Sequence, residues 1–183
     1  PMVYWLSLSS IGIGNIFTVV TVAGTLFFTT GTYSSKIDTL ETQQEKNTDF
    51  PWPAEIFKTL KEIQICQVGY VPDAGHAELI DYCLEDNQIQ ATRLTNEMEG
   101  IALSLGAWLG GQRSALLMQS SGVGNCINML SIIEETRSPL LMLVTMRGEW
   151  GEFNPWQLPM GQATRKSLQN LGVIVYEVEE KDL

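Results

Sequence analysis

The chain contains 183 residues, of which 44% are hydrophobic and 17% are charged, so it has enough apolar material for the core of one domain. The formal net charge is −10 and no cluster of Lys and Arg is present, which argues against nucleic-acid binding because phosphate recognition requires a concentrated basic surface. The three cysteines are widely spaced and His76 is the single histidine, so we predict isolated thiols, as is typical of a cytoplasmic protein, and no metal site.

Residues 1–35 form an apolar N-terminal segment without Lys, Arg, Asp or Glu. Residues 11–28 are about as long as a helix that crosses a bilayer, but they include three glycines, and no basic flank precedes them. Three interpretations stay open: a membrane anchor, a segment packed on the domain or on a neighbouring subunit, or translated sequence upstream of the natural start. Residues 36–51 are polar and end at Pro51, which is typical of a linker or a solvated helix.

Residues 52–183 alternate between helical and strand patterns and are interpreted as one domain. Short apolar runs predict strands over residues 65–71, 114–118, 139–145 and 173–178. Apolar residues at helical spacing predict helices over residues 56–63, 79–84, 97–109 and 163–171. Strands separated by helices of this length indicate βαβ units, so we predict an α/β fold with a parallel sheet flanked by helices on both faces.

Glu97 and Glu99 lie in the first turn of the helix predicted over residues 97–109, directly after Thr95 and Asn96, which are capping residue types. The rest of this helix is apolar almost all round, which predicts that it is buried. A carboxylate at a helix N-terminus is stabilised by the helix dipole whether or not it has a function, so the position alone does not establish catalysis.

Two further segments follow predicted strands, at the edge where ligands bind to open α/β sheets. Residues 121–125, Ser-Gly-Val-Gly-Asn, follow a strand and are predicted to start a helix, so their backbone amides are able to hold an anion. A tight turn without a ligand is the simpler interpretation, and neither a Walker A motif nor a complete GxGxxG motif is present. Residues 146–157 combine two Trp, one Phe, Arg147 and two Glu. Arg147 can pair with an anionic substrate or with Glu149 or Glu152, and both interpretations stay open.

Four segments together resemble one family, the thiamine-diphosphate-dependent enzymes, in their pyrimidine-binding domain. Asn96-Glu97 with the glycines that follow resembles the glutamate-bearing helix of that domain, and residues 70–73, Tyr-Val-Pro-Asp, resemble its strand-end turn. Residues 118–125 with Asn128 are similar to the Gln/Ser-Gly-x-Gly-Asn segment of sulfopyruvate and phosphonopyruvate decarboxylases. The loop over residues 147–157 and the Gly-His pair at 75–76 look closer to the alpha subunits of sulfopyruvate decarboxylases.

The resemblance implies a role for each matching residue. Glu97 is the expected catalytic acid, which hydrogen-bonds the aminopyrimidine ring of the cofactor, and His76 is expected to transfer protons. The residues expected to contact thiamine diphosphate are Glu97, Pro72, Asp73, Gln119, Gly122 and Asn125. Those expected to contact the substrate are Arg147, Gln119 and Asn125.

The resemblance also implies a divided enzyme. A beta subunit with the diphosphate-binding domain is expected to hold the diphosphate and Mg²⁺, so this chain is expected to act only within a hetero- or homo-oligomer. The implied reaction is decarboxylation of a 2-oxoacid, 3-sulfopyruvate, to sulfoacetaldehyde. The alternatives are a fragment of a phosphonopyruvate decarboxylase and a non-catalytic subunit of the pyrimidine-domain type.

Overall fold

The computed structural model of the protein describes residues 3–10, 52–149 and 152–179, with the backbone alone for 3–10 and 179. The strands are β1 Val3–Ser10, β2 Ile65–Tyr70, β3 Gln90–Arg93, β4 Arg113–Gln119, β5 Leu140–Thr145 and β6 Ile174–Glu179. The helices are α1 Trp52–Glu62, α2 Ala77–Glu85, α3 Glu97–Leu109, α4 Ser120–Cys126, α5 Leu130–Thr136 and α6 Leu158–Asn170. Single 3-10 turns lie at Ala74–His76 and Pro155–Gln157.

The six strands of the described residues form one parallel sheet in the order β3-β2-β4-β5-β1-β6. Tyr70 is paired with Leu117, and Gln119 with Thr145. The carboxyl ends of β2, β4 and β5 therefore lie at one edge of the sheet, where the loops that follow them meet. The prediction of an α/β fold with a parallel sheet is confirmed.

Helices cover both faces of the sheet because its central strands are apolar on both sides. In β4, Ala115 and Leu117 belong to a core with residues of α1 and α2, whereas Leu116 and Met118 belong to a second core with residues of α3, α4, α5 and α6. All four of these side chains are fully buried. The continuous apolar run that predicted this strand is the pattern expected for a parallel sheet covered on two faces.

Helix α3 packs on the sheet along one side only. Gly100 allows this close approach, because a Cβ atom there would overlap the side chain of Leu116. On the other side of the helix, Met98 is 42% exposed and Leu109 is 79% exposed. The prediction that this helix is buried all round was therefore wrong within the described chain, because apolar composition does not by itself supply a second packing surface.

Residues 3–10 of the apolar N-terminal segment form β1, between β5 and β6. The remainder of that segment, with the stretch over residues 11–28, and the polar linker predicted over residues 36–51 lie outside the described residues.

No helix within the described residues combines the length and the apolar character needed to cross a membrane.

An apolar groove of about 860 Å³ lies between α1 and the β5–β6 half of the sheet. Its described lining includes Ile56, Leu141 and Val178. None of the residues predicted to bind cofactor or substrate lines this groove, so the candidate site must be sought at the carboxyl edge of the sheet.

Candidate active site at the carboxyl edge of the sheet

The two glutamates at the start of α3 have different surroundings. The Asn96 side chain caps the helix, since its Oδ1 accepts hydrogen bonds from the backbone N–H of Met98 (2.9 Å) and of Glu99 (3.3 Å). Glu99 completes the cap by accepting a hydrogen bond from the backbone N–H of Thr95 at 2.8 Å. The arrangement resembles a capping box, except that Glu99 accepts from the residue before the N-cap, and the Asn96 side chain satisfies two backbone donors that the helix leaves open. Glu99 is exposed and has a structural role, whereas Glu97 takes no part in the cap.

The Glu97 side chain turns toward α4, and the residue is only 6% exposed. Its carboxyl group lies directly against Gly122, where a Cβ atom would overlap the Glu97 carboxyl carbon and Oε1. Asn125 Nδ2 donates a hydrogen bond to Glu97 Oε2 at 2.9 Å. Among the described residues, none donates a hydrogen bond to Oε1. One oxygen of this buried carboxyl group is therefore fixed by the protein, and the other remains available to a ligand.

The second part of the site joins the end of β4 to the loop after β5. Arg147 Nε and Nη2 donate to the two carboxylate oxygens of Glu152 at 2.8 and 2.7 Å, and Nη1 donates to Gln119 Oε1 at 3.1 Å. Such a two-point contact is the strongest form of the arginine–carboxylate pair. Glu152 also accepts from the backbone N–H groups of Gly148 and Asn154. Of the partners that the sequence left open to Arg147, Glu152 is the one that the structure shows.

Burial and hydrogen bonding act on Glu152 in opposite directions. Burial by itself would raise the pKa of Glu152, but the hydrogen bond and charge of Arg147, with the backbone donors, outweigh it and the pKa is lowered. The carboxylate is therefore charged at neutral pH and balances the guanidinium charge.

The third part of the site lies at the turn after β2. Thr145 Oγ1 donates to Asp73 Oδ2 at 2.6 Å, and His76 Nδ1 lies 3.2 Å from the same oxygen. The His76 contact has ion-pair distance without good hydrogen-bond geometry, and neither ring nitrogen has a hydrogen-bond partner among the described residues. Burial would raise the pKa of Asp73, but the contacts with His76 and Thr145 outweigh it and lower the pKa. His76 is completely buried and Pro72 is exposed.

The structure thus brings the predicted residues together in three small groups at one edge of the sheet. Glu97, Gly122 and Asn125 form the first group, Gln119 and Arg147 belong to the second, and Asp73 and His76 belong to the third. The described contacts of His76 are with Asp73 and not with Glu97, so its predicted part in proton transfer remains a prediction. The roles of the other residues likewise remain predictions at this point.

Two contacts of the candidate site were not predicted from the sequence. Thr145 anchors Asp73, and Ser120 Oγ accepts a hydrogen bond from the backbone N–H of Arg147 at 2.9 Å. Both residues carry fully buried hydroxyl groups, Thr145 as the last residue of β5 and Ser120 directly after β4. A polar residue that ends a buried strand was the signal available for both, because a buried hydroxyl group requires a partner.

The cysteines near the site are buried thiols. Burial, with a smaller contribution from the charge of Glu97, raises the pKa of Cys126 to about 12. Cys83 and Cys126 are unpaired, and so is Cys66, which is partly exposed. Within residues 52–149 and 152–179, no group of three or more metal-binding side chains converges on one point.

A parallel α/β sheet with a buried carboxyl group at its carboxyl edge has the arrangement in which open α/β domains bind ligands between the strand-end loops. No protein-family model matches the chain. The chain is 35% identical over 128 residues to the alpha subunit of sulfopyruvate decarboxylase from Methanococcus maripaludis, a match that covers 69% of this chain and 77% of that protein. It is 34% identical over 123 residues to the protein of the same name from Methanocaldococcus jannaschii, with 67% and 73% of the two chains covered.

The phosphonopyruvate decarboxylase of Streptomyces viridochromogenes is 33% identical over 113 residues, which is 61% of this chain but 28% of that longer protein. The chain therefore belongs to the sulfopyruvate decarboxylase alpha-subunit family, among the thiamine-diphosphate-dependent enzymes with a pyrimidine domain. The resemblance noted in the four sequence segments is confirmed.

Proposed function

We propose that this chain is the pyrimidine-binding subunit of a thiamine-diphosphate-dependent enzyme that decarboxylates 3-sulfopyruvate to sulfoacetaldehyde and CO₂. The single observation that carries the proposal is the buried carboxyl group of Glu97, which is held at Oε2 by Asn125 and is free of partners at Oε1 among the described residues. The names of the relatives support the reaction and the substrate.

The residues around Glu97 fit the aminopyrimidine ring of thiamine diphosphate. We propose that a ring nitrogen of that cofactor forms a hydrogen bond with Glu97 Oε1, which packs against Gly122. Any side chain at position 122 would displace the carboxyl group. Gly122 and Asn125 are therefore proposed to shape the cofactor contact through Glu97, and Pro72 and Asp73 to border it from the turn after β2.

When bound, thiamine diphosphate supplies the electron sink that allows the carboxylate of a 2-oxoacid to leave as CO₂. Glu97 holds at Oε1 the proton that it shares with the ring nitrogen, because Oε2 is occupied by the Asn125 amide. The buried position excludes water from this proton, and a general acid positioned in this way contributes about 10²–10⁴-fold to a rate. Gln119 and Arg147 stand at the ends of β4 and β5, where we place the anionic end of the substrate. His76 is proposed to take part in proton transfer.

A partner subunit is proposed to complete the site, to hold the diphosphate and to bind Mg²⁺. The name "alpha" carried by the relatives supports such a partner.

The test is decarboxylation by the chain coexpressed with a diphosphate-domain subunit, in the presence of thiamine diphosphate and Mg²⁺. The three substrates to compare are 3-sulfopyruvate, phosphonopyruvate and pyruvate. We expect the largest kcat/KM for 3-sulfopyruvate and no turnover by the chain alone. Preference for phosphonopyruvate would support the second candidate reaction, for which the relative from Streptomyces viridochromogenes is the supporting observation. No turnover of any 2-oxoacid by the complex would favour a non-catalytic subunit.

A further inference from the structure

The charge of Arg147 is already matched inside the protein. Its side chain is 14% exposed, and Glu152, 6% exposed, takes the Nε and Nη2 donors at 2.8 and 2.7 Å. Backbone contacts fix the same residue, because its N–H donates to Ser120 Oγ and because Gly161 of α6 lies so close that a Cβ atom there would overlap the Arg147 carbonyl oxygen. Arg147 is therefore rigidly held, and its pair with Glu152 has no net charge.

This fixed guanidinium group determines the orientation of the Gln119 side chain. Arginine has only donors, so the Gln119 atom that faces Nη1 at 3.1 Å must be the amide oxygen and not the nitrogen. The NH₂ group then points away from Arg147. It forms no hydrogen bond with any described residue, and it is not fully enclosed by the protein, so a ligand can reach it. Gln119 precedes α4, three residues before Gly122 on which Glu97 rests, so this free donor belongs to the same edge of the site.

We propose that the NH₂ group of Gln119 is the specificity-determining donor for an anionic oxygen of the 2-oxoacid, and that Arg147 is a positioning residue that acts through Gln119. The nature of the anion rests on the proposed function. In a site of this type a directed hydrogen bond from Gln119 recognises the substrate. The guanidinium group of Arg147 pairs with Glu152 and orients Gln119. The Arg147–Glu152 pair is then required for affinity although it does not touch the substrate.

The test measures binding of 3-sulfopropanoate by isothermal titration calorimetry to the full chain, coexpressed with its partner subunit and loaded with thiamine diphosphate and Mg²⁺. This probe has both anionic groups of 3-sulfopyruvate but no keto group, so it cannot be decarboxylated. Turnover of 3-sulfopyruvate by the same preparation reports separately on the proposed function. A complex that binds 3-sulfopropanoate but does not decarboxylate 3-sulfopyruvate would contradict the proposed function alone. A parent complex that does not bind 3-sulfopropanoate would overturn the inference.

The decisive variant is Gln119→Met, which is neutral and of similar size but has neither the donor nor the acceptor. We expect the Kd for 3-sulfopropanoate to rise roughly 10- to 100-fold, the range for hydrogen bonds to charged groups. If Arg147 were the direct anion contact, Gln119→Met would free an N–H group of Arg147, and binding would stay the same or become tighter. That result would overturn the proposal. Gln112→Met, at the other end of β4, is the matched control, since Gln112 Oε1 likewise accepts a hydrogen bond, from Gln67, and its Kd should equal that of the parent.

A double-mutant cycle tests the indirect role of Arg147. The variant Arg147→Met with Glu152→Gln removes the pair without changing the net charge, and it should weaken binding several-fold. Combined with Gln119→Met it should weaken binding no further than Gln119→Met alone, because a residue that acts only through Gln119 has no effect once Gln119 is gone. Losses that multiply would show that Arg147 contacts the anion directly and would overturn the positioning role. Thermal unfolding of each variant confirms that the comparison is made between folded proteins.

Discussion

Asn125 Nδ2 lies 2.9 Å from Glu97 Oε2 and donates a hydrogen bond to it. The contact links the first residue of α3 to α4, across 28 residues of sequence. The amide donor fixes which of the two carboxyl oxygens remains open. The pair can therefore be probed by changing the amide alone, without altering the acid.

Asn125→Asp replaces the amide donor by a second carboxyl group of the same size. Two carboxylates at hydrogen-bond distance do not both ionise at low cost, so the variant retains a proton in the folded state to higher pH than it does when unfolded. A raised pKa in the folded state supports folding at low pH, and that support is lost as pH rises. We expect a melting temperature close to the parent value at about pH 5 and well below it at about pH 8, as measured by circular dichroism. The control is Asn128→Asp, an exposed residue just beyond α4, which should show no such dependence.

Gly122→Ala tests the close contact of Gly122 with Glu97. The new methyl group would occupy the position of the Glu97 carboxyl group, so we expect a loss of about 1–3 kcal/mol in the free energy of unfolding, together with a large fall in kcat. Gly124→Ala is the matched control on the same helix, because its Cβ atom would meet only the flexible Met160 side chain, 3.1 Å away at the sulfur. Equal activity of the two variants would show that the close contact of Gly122 with Glu97 is unimportant.

Asp73→Asn tests the turn after β2. The variant removes the carboxylate that accepts a hydrogen bond from Thr145 and faces His76, and loss of such a contact of a charged group costs about 1.5–3 kcal/mol in the free energy of unfolding. Because the pKa of Asp73 is lowered in the folded state from its ordinary value of 3.8, the parent gains this stability above that value and loses it as pH falls through the folded-state pKa. In urea unfolding experiments, the difference between parent and variant should therefore be complete at neutral pH and should shrink below 3.8. Asp81→Asn, at an exposed position of α2, serves as the control. A difference that does not change with pH would contradict this assignment.

Much of the fold was predictable because its local patterns are strong. The helix predicted over residues 97–109 has those bounds in the structure, since Asn96 caps it and Gly110 follows it. The apolar runs located β2, β4, β5 and β6 to within one or two residues. The segment over residues 121–125 lies in helix α4, as the prediction of a helix that starts after a strand indicated. The contact of Gly122 with Glu97 is a long-range feature that no local pattern reveals.

The site was predictable only as a set of residues and not as a set of contacts. Strand-end positions indicated Glu97, Gln119 and Arg147, because the carboxyl ends of parallel strands share one edge. Which acid pairs with Arg147 depends on the course of the loop after β5, and sequence spacing permits Glu149 and Glu152 equally. The partners of Asn125 and Asp73 are fixed by the packing of α4 and by the alignment of β5, both of which are long-range features.

The most direct test of the central claim is the turnover of 3-sulfopyruvate by Glu97→Gln in the coexpressed complex with thiamine diphosphate and Mg²⁺. Glutamine keeps the size of the side chain and an acceptor for the Asn125 amide, so the melting temperature should stay near that of the parent. It cannot share a proton with the cofactor ring, and we expect kcat to fall by about 10²–10⁴-fold. Glu99→Gln, two residues further along the same helix turn, removes only the capping carboxylate and should retain turnover. A Glu97→Gln complex with the turnover of the parent would contradict the assignment of Glu97 as the acid that activates the cofactor.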